Sequence, residues 1–253
     1  VTTRADLDRA IATIGTPSIL KTTRLGYDGK GQARLRTASD GSAALAAMNG
    51  APAILEGFVD FSREISVIAA RGLDGAVAAY DPGENVHDSG ILSTTTIPAA
   101  IPPALRTDAV LIAARILNAL DYVGVLGVEL FVTPSGLLVN EIAPRVHNSG
   151  HWTQNGCAVD QFEQQLRALC ALPLAEPRLL SPVAMINLLG DLWSSGEPRW
   201  VEVFRRPGVK LHLYGKAEPR PGRKMGHLSA VADSTDAALE KVIEGRRRFA
   251  KGV

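Results

Sequence analysis

The sequence predicts an α+β protein, in which helices alternate with antiparallel hairpins. Arg63–Arg71 alternates as a strand does, and a glycine-containing turn leads it into a second strand, Ala76–Tyr80. A similar pair of strands, Val123–Val132 and Leu137–Ile142, follows farther along the chain. Between the two pairs, Pro102–Leu120 carries apolar residues at helical spacing. These hairpins argue against a continuous parallel sheet.

The remaining segments complete this pattern. Three prolines, Pro173, Pro177 and Pro182, mark a linker and a shift in composition. Helices are predicted over residues 5–14, 39–48, 160–172 and 236–251, and strands over 18–21, 53–59, 183–189 and 210–214.

Composition excludes several classes of protein. The chain has 253 residues and a net charge of +1, so it can bury a sizeable core and lacks the basic surface typical of nucleic-acid binding. Its two cysteines, Cys157 and Cys170, have neither metal-ligand spacing nor a disulfide pattern, which indicates a reducing compartment and a cytoplasmic protein. No apolar run is long enough to cross a bilayer, and the first residues do not resemble a signal peptide, so we expect no membrane partner.

A glycine-rich loop follows the first predicted strand. The run Ser18–Leu20 is followed directly by Lys21. The loop after it contains three glycines, Gly26, Gly29 and Gly31, and two charged residues between them, Asp28 and Lys30. Glycines let backbone N–H groups approach a phosphate closely, and lysine supplies the matching charge. The nucleotide P-loop pattern is absent. A phosphate-binding loop of another kind and a simple glycine turn are the two interpretations.

Two glutamates are expected to face each other across the hairpin that contains Pro134. A three-residue loop with Gly136 in the left-handed conformation would pair Thr133 with Leu137, and Glu129 would then oppose Glu141. Two such carboxylates are suited to Mg²⁺. The alternatives are one buried and one solvated glutamate, or a register shifted by one residue.

Polar residues concentrate immediately after this hairpin. Arg145 can hold phosphate or carboxylate oxygens, and His147 and His151 are either donors to an anion or structural histidines. A later turn carries three cations, ending at Lys224, and is either a solvated surface turn or a phosphate ligand.

Taken together, these motifs resemble the ATP-grasp enzymes and, more narrowly, the 5-(carboxyamino)imidazole ribonucleotide synthase family. The resemblance covers nearly the whole chain. It is carried by Lys21 with the loop 26–32, by Glu56-Gly-Phe-Val59 with Glu64, by Asp88-Ser-Gly-Ile-Leu92, by residues 140–155, and by Arg220-Pro-Gly-Arg-Lys224 with Gly226-His227. It implies an ATP-grasp fold with a small mixed C-terminal domain: a lid subdomain over 1–57, a core subdomain over 58–175 and the C-terminal domain over 176–253.

The resemblance also implies the activity and the ligands. ATP, bicarbonate and 5-aminoimidazole ribonucleotide would give the carboxylated nucleotide, ADP and phosphate through carboxyphosphate, with Mg²⁺ bound by Glu129 and Glu141. Residues implied to bind ATP are Lys21, Gly26, Tyr27, Asp28, Gly29, Lys30, Gly31, Gln32, Glu56, Gly57, Phe58, Val59, Glu64, His87, Asn140 and Glu141. Those implied to meet the nucleotide substrate or carboxyphosphate are Tyr27, Asp28, Lys30, Arg145 and Lys224, with Asp28 as the candidate base.

The sequence departs from the family in two respects. Family members commonly carry arginine where this chain has Lys30, and lysine lacks the bidentate fork. The family also has a Rossmann-like domain before the ATP-grasp domains, and this chain, which opens on Val1, is expected to correspond to the part that follows it. A homodimer is implied. The alternatives are another ATP-grasp carboxylate–amine ligase or biotin carboxylase, and a truncated module that binds ATP without turnover.

Overall fold

The protein divides into two compact units. The structure, a computed structural model, describes residues 1–24, 26, 30–205 and 207–250. The first unit comprises Val1–Asp60 with Asp88–Ile91, and the second comprises Phe61–His87 with Leu92–Val253. The boundaries that we inferred for three domains stay a prediction.

The first unit is built on a three-stranded antiparallel sheet in the order β2-β1-β3. Its first helix begins at a capping box, in which Thr3 and Asp6 bond each other's backbone, and ends at Gly15, where φ is +85°. The helices and one face of the sheet enclose a core that includes Leu7, Leu20 and Leu55. The elements are α1 (Arg4–Ile14), β1 (Ser18–Thr22), β2 (Gln32–Leu35), α2 (Gly41–Ala47) and β3 (Ala53–Gly57).

The second unit contains a nine-stranded sheet. Its order is β11-β12-β10-β7-β6-β4-β8-β9, with β5 beside β4. The strands are β4 (Arg63–Arg71), β5 (Val77–Ala79), β6 (Gly83–Asp88), β7 (Ile91–Ile97), β8 (Gly124–Thr133), β9 (Gly136–Ala143), β10 (Val183–Leu189), β11 (Val209–Leu213) and β12 (Lys224–Val231). The helices are α3 (Pro103–Ala119), α4 (Thr153–Gly156), α5 (Gln161–Leu169), α6 (Trp200–Phe204) and α7 (Thr235–Ala250).

The central strands β4 and β8 have two different faces. On one face, Val67 and Val128 belong to a core packed against α3. On the other face, β4 presents Glu64 and Ser66, and their partners across the ladder are Phe131 and Glu129 of β8. Because side chains alternate along a strand, the residues that build the first core also force these polar groups to the opposite face. The candidate site lies on that polar face.

The C-terminal strands extend the same sheet. β10 pairs with β7 on one side and with β12 on the other, both in antiparallel register. A separate core beneath α6 and α7 includes Ile186, Leu228 and Val242. The C-terminal part is therefore continuous with the central sheet through backbone hydrogen bonds.

The fold class predicted from sequence is confirmed, but four strands were not predicted. Strand β4 has the predicted bounds, and the helices α1 and α3 lie within one or two residues of theirs. Strands β2, β6, β7 and β12 are additional. Lys224, predicted to lie on a turn, is the first residue of β12.

The prediction of a three-residue hairpin loop is wrong, although the predicted pairing of Glu129 with Glu141 is present. Thr133 pairs with Gly136, not with Leu137, so the turn contains two residues. The Thr133 hydroxyl donates to the Gly136 carbonyl at 2.8 Å and closes this tighter turn. Farther along, the register shifts at a bulge between Glu129 and Leu130: Leu130 pairs with Val139, whereas Glu129 pairs with Glu141.

Candidate active site

The bulge in β9 decides which face Glu141 occupies. Without it, the register of the two-residue turn would place Asn140 opposite Glu129 and would direct Glu141 toward the α3 core. The extra residue, Asn140, lets Glu141 face Glu129 directly. Residues directly opposite each other in an antiparallel ladder project from the same face. The predicted carboxylate pair is thus present, by a route that the sequence did not reveal.

The two carboxylates have unequal surroundings. The Glu129 side chain is 15% exposed, whereas Glu141 is exposed. Burial, together with the negative charge of Glu141, raises the pKa of Glu129 to about 7. Proximity to a cation would favour the ionised form of both groups. Among the described residues, no three His, Cys, Asp or Glu side chains form a metal-binding group. Two carboxylates that leave other positions for water and phosphate oxygens fit Mg²⁺.

Glu64, on the same face of the sheet as Glu129, forms an ion pair with His87. Glu64 lies on the polar face of β4, and its carboxylate contacts Nδ1 of His87 on β6. Burial alone would lower the pKa of His87, but the hydrogen bond and charge of Glu64 outweigh that effect and raise it. Both side chains are only about a quarter exposed. Two residues implied to bind ATP are therefore already paired with each other.

The segment after β9 brings a histidine to the carboxylates. Nε2 of His147 lies 3.7 Å from Oε1 of Glu129. The backbone at His147 is held by the side-chain amide of Gln161, which accepts from the His147 N–H at 2.9 Å and donates to its carbonyl at 2.8 Å. The same Gln161 nitrogen lies 2.9 Å from Nδ1 of His151. The polar segment is thus ordered by a buried glutamine.

The positive charges of Arg145 and Lys224 both affect the protonation of His147 and His151. The positive charges of both residues help burial to lower the pKa of His147, to about 3, and that of His151, to about 4. The charge of Lys224 also acts on Glu129. Arg145 is exposed and Lys224 is partly buried at the start of β12. The structure therefore brings these two predicted cations to one polar site in the second unit.

Several of the predicted site residues lie in the first unit. Nζ of Lys21 lies 2.7 Å from Oε2 of Glu56, so the lysine and the first residue of the Glu56–Val59 segment are in contact. In the loop, Gly31 has φ of +72°, and a Cβ there would lie 2.5 Å from Oγ1 of Thr22. Lys30 and Gln32 are described, whereas the predictions for Tyr27, Asp28 and Gly29 lie outside the described residues. That Tyr27 and Asp28 meet the same substrate as Arg145 and Lys224 stays a prediction.

Some residues of the polar face had no signal in the sequence. Ser66 lies directly opposite Glu129, but this position depends on the β4–β8 register, which local patterns do not specify. Gln161 is fully buried although it is the first residue of the helix α5, where a polar side chain normally faces solvent. The sequence indicates His147 as a candidate donor to an anion. Its contact with Glu129 depends on the path of the loop after β9, which the sequence does not predict.

Two family models match this chain. Residues 1–162 match the family model of the ATP-grasp domain, and residues 183–241 match that of the phosphoribosylaminoimidazole carboxylase C-terminal domain. The N5-carboxyaminoimidazole ribonucleotide synthase of Pseudomonas aeruginosa is 45% identical over 96% of this chain and 67% of its own length. The chain belongs to the N5-carboxyaminoimidazole ribonucleotide synthase family.

Other members of this synthase family are similarly close. The enzyme of that name from Brucella melitensis is 52% identical over 89% of this chain and 62% of its own length. The crystal structure of N5-carboxyaminoimidazole synthase from Aspergillus clavatus, in complex with ADP and 5-aminoimidazole ribonucleotide, is 29% identical. It has a TM-score of 0.87 and matches 99% of this chain and 67% of that one. The chain thus spans about two thirds of the length of these synthases or slightly less. In its described part, no helix has both the length and the apolar character needed to cross a membrane.

Proposed function

We propose that the protein containing this chain carboxylates 5-aminoimidazole ribonucleotide, using ATP and bicarbonate and releasing ADP and phosphate. The observation that carries the proposal is the pair Glu129 and Glu141 on one face of the sheet. The positive charge of Lys224 lies close enough to Glu129 to favour its ionised form. The Aspergillus clavatus relative, crystallised with ADP and the aminoimidazole nucleotide, supports the choice of substrates. In this proposal the reaction belongs to purine biosynthesis in the cytoplasm, and the protein is a homodimer.

In the proposed reaction, the carboxylates would hold Mg²⁺, and the cations would hold anionic substrate groups. Glu129 and Glu141 supply oxygen ligands, and a bound Mg²⁺ would neutralise charge on the phosphoryl group in transfer. Lys21 would contact ATP phosphates, with the loop 26–32 closing over them. The segment Glu56–Val59 would contact adenine through its backbone, and Glu64 and His87 would line the nucleotide site.

The second half of the reaction needs an orienting environment. Bicarbonate becomes electrophilic only after phosphorylation, and the resulting carboxyphosphate must be kept from water until the amine attacks it. Arg145, Lys224, Lys30 and Tyr27 would hold the anionic groups, and Asp28 would accept the amine proton.

The proposal is tested with the full-length protein. ¹³C-labelled bicarbonate should enter the nucleotide product only when ATP, Mg²⁺ and 5-aminoimidazole ribonucleotide are all present. We expect Glu141→Gln to lower the rate at least 100-fold, since it removes charge that acts in the transition state. The exposed Glu240→Gln on α7 is the matched control and should leave the rate unchanged.

Three results would contradict the proposal. ATP hydrolysis stimulated by biotin would indicate a biotin carboxylase, stimulation by another carboxylate and amine would indicate a different ligase, and ATP binding without turnover would indicate a non-catalytic module.

A further inference from the structure

Two groups of Ser149 lie within hydrogen-bond distance of Nδ1 of His147. The residue caps a short 3₁₀ turn, Asn148–Gly150, and its ring accepts from the Ser149 backbone N–H at 3.4 Å. The Ser149 hydroxyl oxygen lies 2.8 Å from the same nitrogen. A backbone N–H can only donate. Nδ1 must therefore carry a lone pair, and the Ser149 hydroxyl can complete the arrangement by donating its proton as well.

A second serine continues this chain of contacts. Ser66 donates its hydroxyl proton to the Ser149 oxygen at 2.8 Å, and both serine side chains are almost completely buried. Because Nδ1 of His147 carries a lone pair, Ser149 can donate its own proton to Nδ1 while its oxygen accepts from Ser66. If Nδ1 carried a proton instead, the Ser149 backbone N–H would lose its acceptor inside the protein, which is costly.

The opposite ring nitrogen lies toward the carboxylates. Nε2 of His147 is the atom 3.7 Å from Glu129, and Ser66 is the residue opposite Glu129 on β4. An imidazolium ring carries a proton on both nitrogens, whereas Nδ1 of His147 accepts a hydrogen bond. The ring is therefore neutral, and its single proton lies on Nε2.

We propose that Ser66 and Ser149 are positioning residues that hold His147 in the Nε2–H tautomer. They thereby direct an uncharged N–H donor toward the Glu129–Glu141 pair and toward an anion bound there. The tautomer assignment is independent of the reaction, whereas the use of the donor rests on the proposed function. A neutral donor can bond a phosphoryl or carboxylate oxygen without adding a charge that competes with a cation at the two glutamates.

The first test is a measurement of the tautomer without substrates. Two-bond ¹H–¹⁵N spectra of the ¹⁵N-labelled full-length protein at pH 7 distinguish a protonated from an unprotonated ring nitrogen. Comparison with His147→Gln identifies the His147 signals among those of the other histidines. We expect Nδ1 to be unprotonated and Nε2 to carry the proton. Protonation at Nδ1 would overturn the proposal whatever reaction the protein catalyses.

The second test removes the hydroxyl chain. In Ser149→Ala we expect the His147 signals to shift toward the values of a mixture of the two tautomers. In Ser149→Thr, which keeps the hydroxyl, we expect signals closer to those of the wild type. Ser66→Ala, which leaves Ser149 in place, should give a smaller shift in the same direction. Ser181→Ala is the matched control, because its hydroxyl donates to the Ala232 carbonyl at 2.7 Å outside this chain of contacts.

The kinetic readout separates positioning from general instability. For Ser149→Ala we expect kcat to fall about tenfold with KM for ATP unchanged, which corresponds to about 1.4 kcal/mol. Should Ser149→Ala not fold, Ser66→Ala carries the same measurements. Wild-type tautomer populations and wild-type kcat in both alanine variants would refute the positioning role. An Nε2–H tautomer in a protein that does not carboxylate the nucleotide would refute the proposed function alone.

Discussion

At the scale of single residues, the clearest constraint is the close approach of His147 to Gly127. A Cβ at Gly127 would lie 2.8 Å from Cβ and 3.0 Å from Cγ of the histidine. Glycine is needed in the middle of β8 because the loop crosses the strand there, although glycine weakens a strand interior. The missing side chain on β8 thus determines how near the imidazole can come to Glu129.

Gly127→Ala tests this steric requirement. We expect the added methyl group to displace His147 and to destabilise the fold by about 1–3 kcal/mol through overpacking. Urea unfolding measures the stability, and the His147 ring signals report the displacement. Gly57→Ala is the matched control, because its Cβ would meet nothing closer than Ile14 at 3.7 Å. Unchanged His147 signals in Gly127→Ala would show that the loop does not depend on this contact.

At the scale of elements, α5 is unusual in the side chains that it buries. Gln161 and Gln164 are fully buried, whereas Leu166 and Leu169 are more than half exposed. Each buried glutamine bonds both the N–H and the carbonyl of one residue in another segment: Gln161 bonds His147, and Gln164 bonds Ala175 at 3.0 and 2.7 Å. The helix thus orders two loops through side-chain amides.

These two glutamines form a natural pair of experiments. Gln161→Leu and Gln164→Leu should each destabilise the protein by about 2–4 kcal/mol, since each leaves a buried N–H and a buried carbonyl without a partner. Only Gln161→Leu should also change the ring signals of His147 and lower kcat, because Gln164 bonds the linker. Equal kinetic effects of the two variants would mean that α5 acts through global stability alone.

The elements also show what sequence patterns can and cannot predict. Apolar periodicity located α3, and a strand alternation located β4, because each signal is local. Strand β12 was missed because its segment, Lys224–Val231, is buried on nearly every residue and lacks alternation. The carboxylate pair was predicted from an incorrect turn, and the bulge at Asn140 corrected the register. A bulge depends on the pairing strand and on the site, so no local pattern reveals it.

At the scale of the whole molecule, three histidines from separate parts of the chain are packed together. The rings of His212 and His227 stack with centroids 4.5 Å apart, and His151 lies 5.2 Å from His227. Nδ1 of His227 bonds the hydroxyl of Tyr214 at 2.9 Å. Burial, with smaller contributions from neighbouring charges, lowers the pKa of His227 to about 2 and that of His151 to about 4. The fold thus holds His227, which is fully buried, and His151, which is partly buried, in the neutral form.

This burial makes stability depend on pH. Below pH 6.5 the unfolded chain protonates His151 and His227, whereas the folded protein does not, so the free energy of unfolding falls as pH falls from 6.5 toward 4. At pH 5 each ring contributes a loss of about 2 kcal/mol. We expect His227→Phe, which keeps a stacked ring, to reduce this loss between pH 7 and pH 5 in urea unfolding. His87→Phe should not reduce it, because the folded pKa of His87 is raised. The same pH dependence in wild type and His227→Phe would contradict the assignment.

The whole-molecule arrangement was predictable only in outline. Motifs such as Lys21, Glu56 and the residues after Glu141 indicated the family, and the family models agree. The histidine cluster was not predicted, because His151, His212 and His227 are brought together by strand order. That order depends on the pairing of distant segments and leaves little trace in any one of them.

The bulge at Asn140 has an arithmetic consequence for the β8–β9 hairpin. Two residues whose numbers differ by an even amount cannot be opposite each other across an unbroken hairpin with an even-length turn. Glu129 and Glu141 differ by twelve, and the turn contains two residues. One additional residue must therefore be present somewhere between them, either in the turn or in a strand. An odd separation would suit an even-length turn without any bulge, so the even separation of these two glutamates is what makes the extra residue necessary.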